Sequence, residues 1–128
     1  MLLAAFHDDL DLLGISTVYG NAPLSKTTNN ALSILTAIGK PYVAVFPGAQ
    51  KPFSRAIKHA PDIHGESGLD GTDLLPRPDR RPLTHVNAIK EMRDSLMACP
   101  AQTAWLVVTG TLTNAGLLFA VHPEVSRS

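Results

Sequence analysis

Three short stretches of the sequence combine glycine with groups that can bind a polyol or a hard cation. They are Gly20-Asn21, the segment HGESGLDG at residues 64–71, and the segment TGTLTN at residues 109–114. Glycine lets the backbone approach a ligand closely, and carbonyl and carboxylate oxygens are the ligands that Ca²⁺ prefers. Each stretch alone is a weak indication, because Gly-Asn turns and capped helix starts are common. A site therefore requires a fold that brings them together.

Strands that end at or before these stretches are the elements that could do so. Residues 12–21 are rich in β-branched side chains and stop at the Gly-Asn pair, whereas residues 42–46 and 103–109 are short apolar runs. β-Branched residues favour extended backbone, and continuous apolar runs are typical of strands buried on both faces of a parallel sheet. We therefore predict three parallel strands, whose carboxyl ends share the edge where such sheets bind ligands.

Apolar residues at helical spacing separate the predicted strands. Ser25 is the predicted N-cap of a first full helix that closes at Gly39, and Thr84 is the predicted N-cap of a second. A last helix is predicted to end at His122, and residues 1–6 have the composition of a helix without a capping residue before it. The predicted fold class is α/β, with a partial, Rossmann-like, mostly parallel sheet and flanking helices.

The segment between residues 48 and 83 shows no periodicity and holds many glycines and prolines. Irregular segments of this length in compact domains are usually functional or disordered. Residues 50–71, which include His64, are predicted to return over the carboxyl edge of the sheet. Residues 76–82 are predicted to form an exposed connector, whose arginines could contact phosphate but are better interpreted as solvated surface.

Composition excludes several classes of function. Eleven basic and eleven acidic residues give zero formal charge, so no general attraction to nucleic acid or to an anionic membrane is expected. The single cysteine, Cys99, cannot form an internal disulfide, which is typical of a reducing compartment. Residues 1–6 are too short an apolar run for a signal peptide or a membrane span, so a soluble, cytoplasmic protein is expected. His7, Asp8 and Asp9 are interpreted as a solvated loop rather than a metal site.

The order and spacing of five motifs resemble a known family. They are LGISTVYGN at 13–21, KTTNNA at 26–31, GAQKP at 48–52, IHGESGL at 63–69 and VTGTLTN at 108–114. Together they resemble the amino-terminal half of the inosine-uridine type nucleoside hydrolases, which use water to cleave ribonucleosides into ribose and a free base. The resemblance covers nearly the whole chain and implies one partial nucleoside hydrolase domain over residues 1–128, from a protein that forms a homo-oligomer at full length.

The resemblance also implies roles for individual residues. Asn21 matches an asparagine that binds the ribose and the attacking water, and His64 matches a histidine of the pocket near the nucleobase. The backbone carbonyl of Thr109 matches a ligand of the family's Ca²⁺, an assignment that fits the ion's preference for oxygen. Residues 66–68 would shape the loop that carries the histidine.

The sequence departs from the family pattern in two ways that bear on catalysis. The family's amino-terminal cluster D-x-D-x-x-x-D-D, which supplies most Ca²⁺ ligands and the base, has no counterpart, because Asp8 and Asp9 follow the first helix rather than precede it. The carboxyl half, with a further aspartate and a histidine, has no counterpart either. No complete catalytic set is therefore expected, and the chain alone is predicted to be inactive.

Two other functions stay open at this point. One is a non-catalytic α/β module that keeps the edge for binding ribose or a partner. The other is a flavodoxin-like nucleotide-binding domain, which ranks low because no glycine-rich phosphate loop follows the first strand. The first strand is also expected to lack a neighbour on one side, and this open edge would make the isolated chain prone to association.

Overall fold

A computed structural model describes residues 1–127 of the chain, with side chains described through Ser126. The elements, in chain order, are helix α1 (Leu2–Phe6), strand β1 (Ile15–Thr17), helix α2 (Leu24–Ala37), strand β2 (Val45–Pro47), helix α3 (Pro61–His64), helix α4 (Ala88–Met97), helix α5 (Thr113–Val121) and a 3-10 helix (Pro123–Arg127). No helix within these described residues is both long and apolar enough to span a membrane.

The centre of the fold is the βαβ unit formed by β1, α2 and β2. The two strands are parallel, with Ile15 opposite Val45 and Thr17 opposite Pro47. Helix α2 packs its apolar side on this pair, and Leu35 and Val45 are almost fully buried at 0% and 2% exposure. The predicted parallel α/β arrangement is confirmed, and the carboxyl ends of both strands lie at one edge.

Both strands are shorter than the sequence predicts. The ladder covers residues 15–17 and 45–47 rather than 12–21 and 42–46. Beyond the ladder the two segments remain in contact through isolated hydrogen bonds. In one of them Tyr19 N–H donates to the Ala49 carbonyl at 3.0 Å. The β-branched residues therefore extend beyond the regular pairing. The pairing ends earlier because the two segments diverge into turns at the carboxyl edge.

The predicted third strand, residues 103–109, is wrong in its regular structure and in its burial. Between residues 1 and 127 the sheet has two strands only. Trp105 and Val107 are 83% and 77% exposed, whereas Ala104 and Leu106, which alternate with them, are partly buried. Such alternation is typical of a strand with one covered face, and without a neighbour to accept its hydrogen bonds the segment forms no ladder.

Two predicted helix caps are also wrong, for local reasons. Helix α2 begins at Leu24 directly after Pro23, one residue before Ser25, and proline is well suited to the region where N–H groups have no helical partner. Helix α4 begins at Ala88, and the side chain of Asn87, not Thr84, accepts hydrogen bonds from its first turn. Asparagine caps at least as well as threonine, and it lies closer to the apolar periodicity.

The long irregular segment follows the prediction. Its one regular element among the described residues is the four-residue helix α3, which sits over the carboxyl edge because Ala60 N–H donates to the Asn21 carbonyl at 2.9 Å. The three arginines of the connector are exposed, and the connector is held to α2 by Asp79 N–H, which donates to Thr36 Oγ1 at 3.0 Å. The helices predicted at 1–6 and before His122 are present as α1 and α5.

Candidate functional site

Two of the predicted site residues are in direct contact. Asn21 lies in the turn after β1 and His64 is the last residue of α3, and Asn21 Nδ2 donates to His64 Nε2 at 2.8 Å. Because the amide nitrogen is a donor only, this arrangement assigns the neutral imidazole with its proton on Nδ1. Asn21 is exposed and His64 is half-buried, so remaining donors and acceptors of the pair can reach a ligand.

The turn that carries Asn21 is held by the residues just before α3. His59 Nδ1 donates to the Gly20 carbonyl at 2.8 Å, and Ala60 N–H donates to the Asn21 carbonyl. The turn also closes on itself, because Gly20 N–H donates to the Ala22 carbonyl at 3.0 Å. Sequence reasoning missed His59, which belongs to no motif; its only signal was its position in the loop predicted to cover this edge.

Thr109 lies at the same edge, beside the end of β1. Its neighbour Gly110 packs so closely that a Cβ there would be 3.2 Å from Val18 Cγ1, and Thr111 Oγ1 donates to the Tyr19 carbonyl at 3.2 Å. Thr109 itself is exposed. The segment TGTLTN therefore lies near the Gly20-Asn21 turn at the carboxyl edge, although the residues before that segment form no strand.

Asn114, the last residue of TGTLTN, has a structural role rather than a ligand-facing one. It is 5% exposed, and its amide accepts from Ala49 N–H and donates to Thr17 O and Ser16 Oγ, each at 2.9 Å. These contacts use the oxygen and nitrogen of the amide within the protein. The side chain thus ties the start of α5 to the ends of both strands.

The groups with shifted pKa values lie away from this edge, on α4 and the 3-10 helix. A hydrogen bond from Lys90, followed by one from Arg93, lowers the pKa of the Asp94 carboxyl. The backbone hydrogen bond of Glu124 lowers the pKa of its own carboxyl, with a further contribution from Arg93. These charges form an exposed surface network that reaches from α4 to Glu124.

The described residues alone do not fit a calcium site. Within residues 1–127 no three histidine, cysteine, aspartate or glutamate side chains gather at one place. Asp8 and Asp9 are exposed, and Asp9 N–H donates to His7 Nδ1 at 3.2 Å, as expected of a solvated loop. Ca²⁺ takes six to eight oxygen ligands, and a single backbone carbonyl such as that of Thr109 falls far short of this number.

Among residues 1–127 the edge therefore combines an amide, an imidazole and nearby backbone carbonyls without a cluster of carboxylates. Such groups can bind hydroxyls and a planar base through hydrogen bonds. They offer no anionic nucleophile and no pair of carboxylates, which enzymes that cleave glycosidic bonds ordinarily use to stabilise a cationic sugar. Fold and site together define an α/β protein whose carboxyl edge presents neutral hydrogen-bonding groups.

Comparison with known proteins identifies the family. Residues 1–128 match the family described as inosine-uridine preferring nucleoside hydrolase, and the chain belongs to that family. Uridine nucleosidase of Saccharomyces cerevisiae is 43% identical over 129 residues, covering 100% of this chain and 38% of the yeast protein. Pyrimidine-specific ribonucleoside hydrolase RihA of Shewanella sp. (strain MR-4) is 42% identical over 125 residues, covering 98% of this chain and 38% of that protein.

A solved structure supports the same assignment. The purine-preferring ribonucleoside hydrolase from Gardnerella vaginalis superposes with a TM-score of 0.84 at 25% sequence identity, covering 94% of this chain and 38% of that one. The predicted family and α/β fold class are thereby confirmed. The chain spans 38% of the length of each of these three proteins.

Proposed function

We propose that this chain supplies the sugar-facing part of a ribonucleoside hydrolase site, in which water cleaves the N-glycosidic bond to give ribose and a free base. The observation that carries the proposal is the 2.8 Å contact between Asn21 and His64 at the carboxyl edge of a chain of this family. Asn21 would bind ribose hydroxyls and the water, and His64 would lie beside the nucleobase. The substrate class is ribonucleosides.

The chemistry decides how much of the reaction these residues can perform. Cleavage passes through an oxocarbenium-like state that carboxylates stabilise. Asn21 and His64 are neutral in the assigned arrangement, so they would orient the sugar and base rather than stabilise the developing charge. Orienting the substrate lowers the entropic part of the activation free energy. It does not lower the part that comes from the positive charge developing on the sugar.

Calcium is the cofactor we propose for the whole protein. Thr109 would supply one backbone carbonyl to the ion, which when bound lowers the pKa of a coordinated water. Because the described residues hold no acidic cluster, the remaining ligands would come from residues other than these.

We further propose a single partial domain over residues 1–128 and a homo-oligomer for the full-length protein. Zero formal charge argues against a nucleic-acid or membrane partner, and the single Cys99 is compatible with a cytoplasmic location.

A chimera with the yeast relative tests the proposed function. This chain would replace the aligned segment of the Saccharomyces cerevisiae uridine nucleosidase, which is 43% identical to it. We expect ribose release from uridine, and Asn21→Ala should lower kcat by about a hundredfold or more, the scale of losing one positioned hydrogen-bond donor at the reacting centre. Asn29→Ala, at an exposed asparagine of α2, is the matched control and should leave kcat unchanged.

The second candidate function is a non-catalytic module that binds ribose or a partner. It is favoured by the absence of a carboxylate cluster among residues 1–127. This candidate predicts that ribose protects the chain against thermal unfolding, whereas the chimera folds with a cooperative melt and releases no ribose. That combination would contradict the hydrolase proposal and support the binding module.

A further inference from the structure

The loop that follows His64 has little structure of its own. Helix α3 ends at His64, and Gly65, Gly68 and Gly71 all have φ between 66° and 99°, in the left-handed region that favours glycine. Glycine at such positions leaves the unrestrained chain many alternative conformations. The position of the imidazole must therefore depend on contacts that the loop makes with other elements.

Helix α2 provides two such contacts from one face. Lys26 Nζ donates to the Glu66 carbonyl, and Asn30 Nδ2 donates to the Ser67 carbonyl at 2.9 Å. Residues four apart on a helix lie on the same face, so these two side chains bind two successive carbonyls of the loop. Binding consecutive carbonyls fixes both the register and the direction of the backbone just after His64.

The same helix is anchored in the core and beside the Asn21 turn. The hydroxyls of Thr28 and Thr17 share a buried hydrogen bond at 2.8 Å, which ties α2 to β1. Gly68 packs against Ala22, because a Cβ at Gly68 would lie 2.7 Å from the Ala22 Cβ. The loop is thus held on its carboxyl side by α2 and the turn, and on its amino side by Ala60.

We propose that Lys26 and Asn30 are positioning residues, which act through the carbonyls of Glu66 and Ser67 to hold the His64 imidazole against the Asn21 amide. The proposal deepens the proposed function, and its relevance to turnover rests on that function. The contact itself can be tested without any reaction. Neither Lys26 nor Asn30 needs to touch a substrate in this role.

The carbonyl contact, rather than the ion pair, carries the effect. Lys26 also lies 3.2 Å from the Glu66 carboxylate, but that carboxylate is 95% exposed. Exposed ion pairs contribute little, because water screens them and two flexible side chains must be ordered. Removing the carboxylate with Glu66→Ala should therefore have little effect, whereas removing the lysine donor with Lys26→Met should release the loop.

Site-resolved acylation of histidine by diethyl pyrocarbonate measures this contact in the chain itself. The reagent attacks an unprotonated ring nitrogen, and in the assigned tautomer that nitrogen is Nε2, which the Asn21 amide occupies. We expect Lys26→Met and Asn30→Ala each to raise the acylation rate of His64 by about fivefold, the factor that one net hydrogen bond supplies. Lys26→Arg, which keeps a cationic donor, should restore most of the protection.

Two controls separate positioning from general destabilisation. Lys90→Met breaks the ion pair between Lys90 and Asp94 on α4, far along the chain from the loop. This variant should leave His64 protected. His85 and His122 of each variant serve as internal references. An unchanged His64 rate in both α2 variants would overturn the proposal, and so would a parallel rise at all histidines, which indicates unfolding.

The chimera provides a second readout that a purely structural role would not reproduce. If Lys26 acts through His64, Lys26→Met should lower kcat/KM in the wild-type background and add no further loss in a His64→Ala background. Full additivity of the two losses would contradict the proposal. A chimera with no turnover but normal His64 protection would instead contradict the proposed function and leave the positioning role intact.

Discussion

At the scale of single residues, the candidate edge depends on one amide whose oxygen and nitrogen are both engaged by the protein. Asn114 joins Ala49 N–H, Thr17 O and Ser16 Oγ, so it connects β1, β2 and α5 where their ends meet. The backbone of Gly48 passes directly over this amide. Small changes at Gly48 should therefore disturb the relative placement of the ends of β1 and β2 and the start of α5.

Gly48→Ala tests this close packing. An added Cβ would lie 2.3 Å from Asn114 Nδ2 and 2.6 Å from Oδ1, so the amide must move and lose hydrogen bonds. We expect a loss of about 2 kcal/mol in the free energy of unfolding, measured by urea denaturation. Gly20→Ala is the matched control, because nothing lies within 4 Å of its Cβ position, and it should change the free energy by less than about 0.5 kcal/mol. Equal losses in the two variants would contradict the packing argument.

Residue type alone could predict Asn21, His64 and Thr109 as candidates, because glycine, amide and imidazole groups after strands are chemically informative. Their mutual contacts could not be predicted. The bond from Asn21 to His64 depends on a loop whose path is set by left-handed glycines and by α2. His59 was missed for the same reason, since only the folded loop brings it to the Gly20 carbonyl.

At the scale of elements, the starts and ends of helices show what local sequence decides. Asn87 accepts hydrogen bonds from Ile89 N–H at 2.9 Å and Lys90 N–H at 3.1 Å. Thr84, the predicted cap, lies in a tight turn in which its N–H donates to the Pro82 carbonyl. Two capping residues lie close together in sequence, and only the path of the chain after Pro82 selects between them.

Asn87→Ala and Thr84→Ala compare the observed cap of α4 with the predicted one. Asn87→Ala should lower the free energy of unfolding by about 1 kcal/mol, because the first turn loses the acceptor for two N–H groups. Thr84→Ala, at an exposed residue without a capping bond, should change it by less than about 0.5 kcal/mol. Thermal or urea unfolding of both variants measures the difference, and the reverse order would show that the cap is misassigned.

The charge network of α4 predicts a dependence of stability on pH. The pKa of Asp94 is lowered below its ordinary value of 3.8 by Lys90 and then Arg93. A carboxyl whose pKa is depressed in the folded state stabilises the fold above its unfolded pKa, and this contribution is lost as the pH falls through the folded pKa. Stability should therefore decline in acid, and modestly, because water screens these exposed groups.

Asp94→Asn should flatten this acid decline. Melting temperatures should be measured from neutral pH down through the ordinary carboxyl range. At neutral pH the wild type should melt at a higher temperature than the variant, and at low pH the two melting temperatures should converge. Asp11→Asn, at an exposed carboxylate outside the network, is the control and should retain the wild-type slope. Identical slopes for Asp94→Asn and the wild type would show that the network does not contribute.

The missing third strand shows the limit of local patterns. Residues 103–109 have strand composition, and their alternating burial fits a strand, yet a ladder needs a neighbouring chain that composition cannot supply. The βαβ unit could be predicted because its strands pair with each other through a helix whose spacing is visible in the sequence. Pairing between distant segments is where the prediction was wrong.

At the scale of the whole molecule, the outer edge of β1 has no strand beside it in the described chain. Gly48 N–H donates to Thr17 O and Ile15 N–H donates to Ala44 O, so Ile15 and Thr17 face β2. In a parallel pair the backbone of the residue between them, Ser16, then faces away from β2. Trp105 and Val107 add exposed apolar surface to a molecule with this open edge.

We therefore expect the isolated chain to self-associate. Light scattering after size exclusion should show species larger than the monomer that increase with concentration. Trp105→Lys with Val107→Lys should shift the population toward monomer, because lysine disfavours edge contacts. Leu74→Lys, at an apolar residue that is 92% exposed but outside residues 103–109, should not. A monomer with a sharp cooperative melt at all concentrations would contradict this expectation.

Ribose release by the chain itself, with inosine and uridine as substrates and added Ca²⁺, tests the proposed roles most directly. In the proposed function these residues orient the sugar and the base, but they lack the charges that stabilise the cationic sugar. Losing several kcal/mol of that stabilisation corresponds to about a thousandfold or more in rate. We expect no ribose release above the uncatalysed rate. Calcium-dependent turnover by this chain, abolished by a chelator, would overturn that expectation.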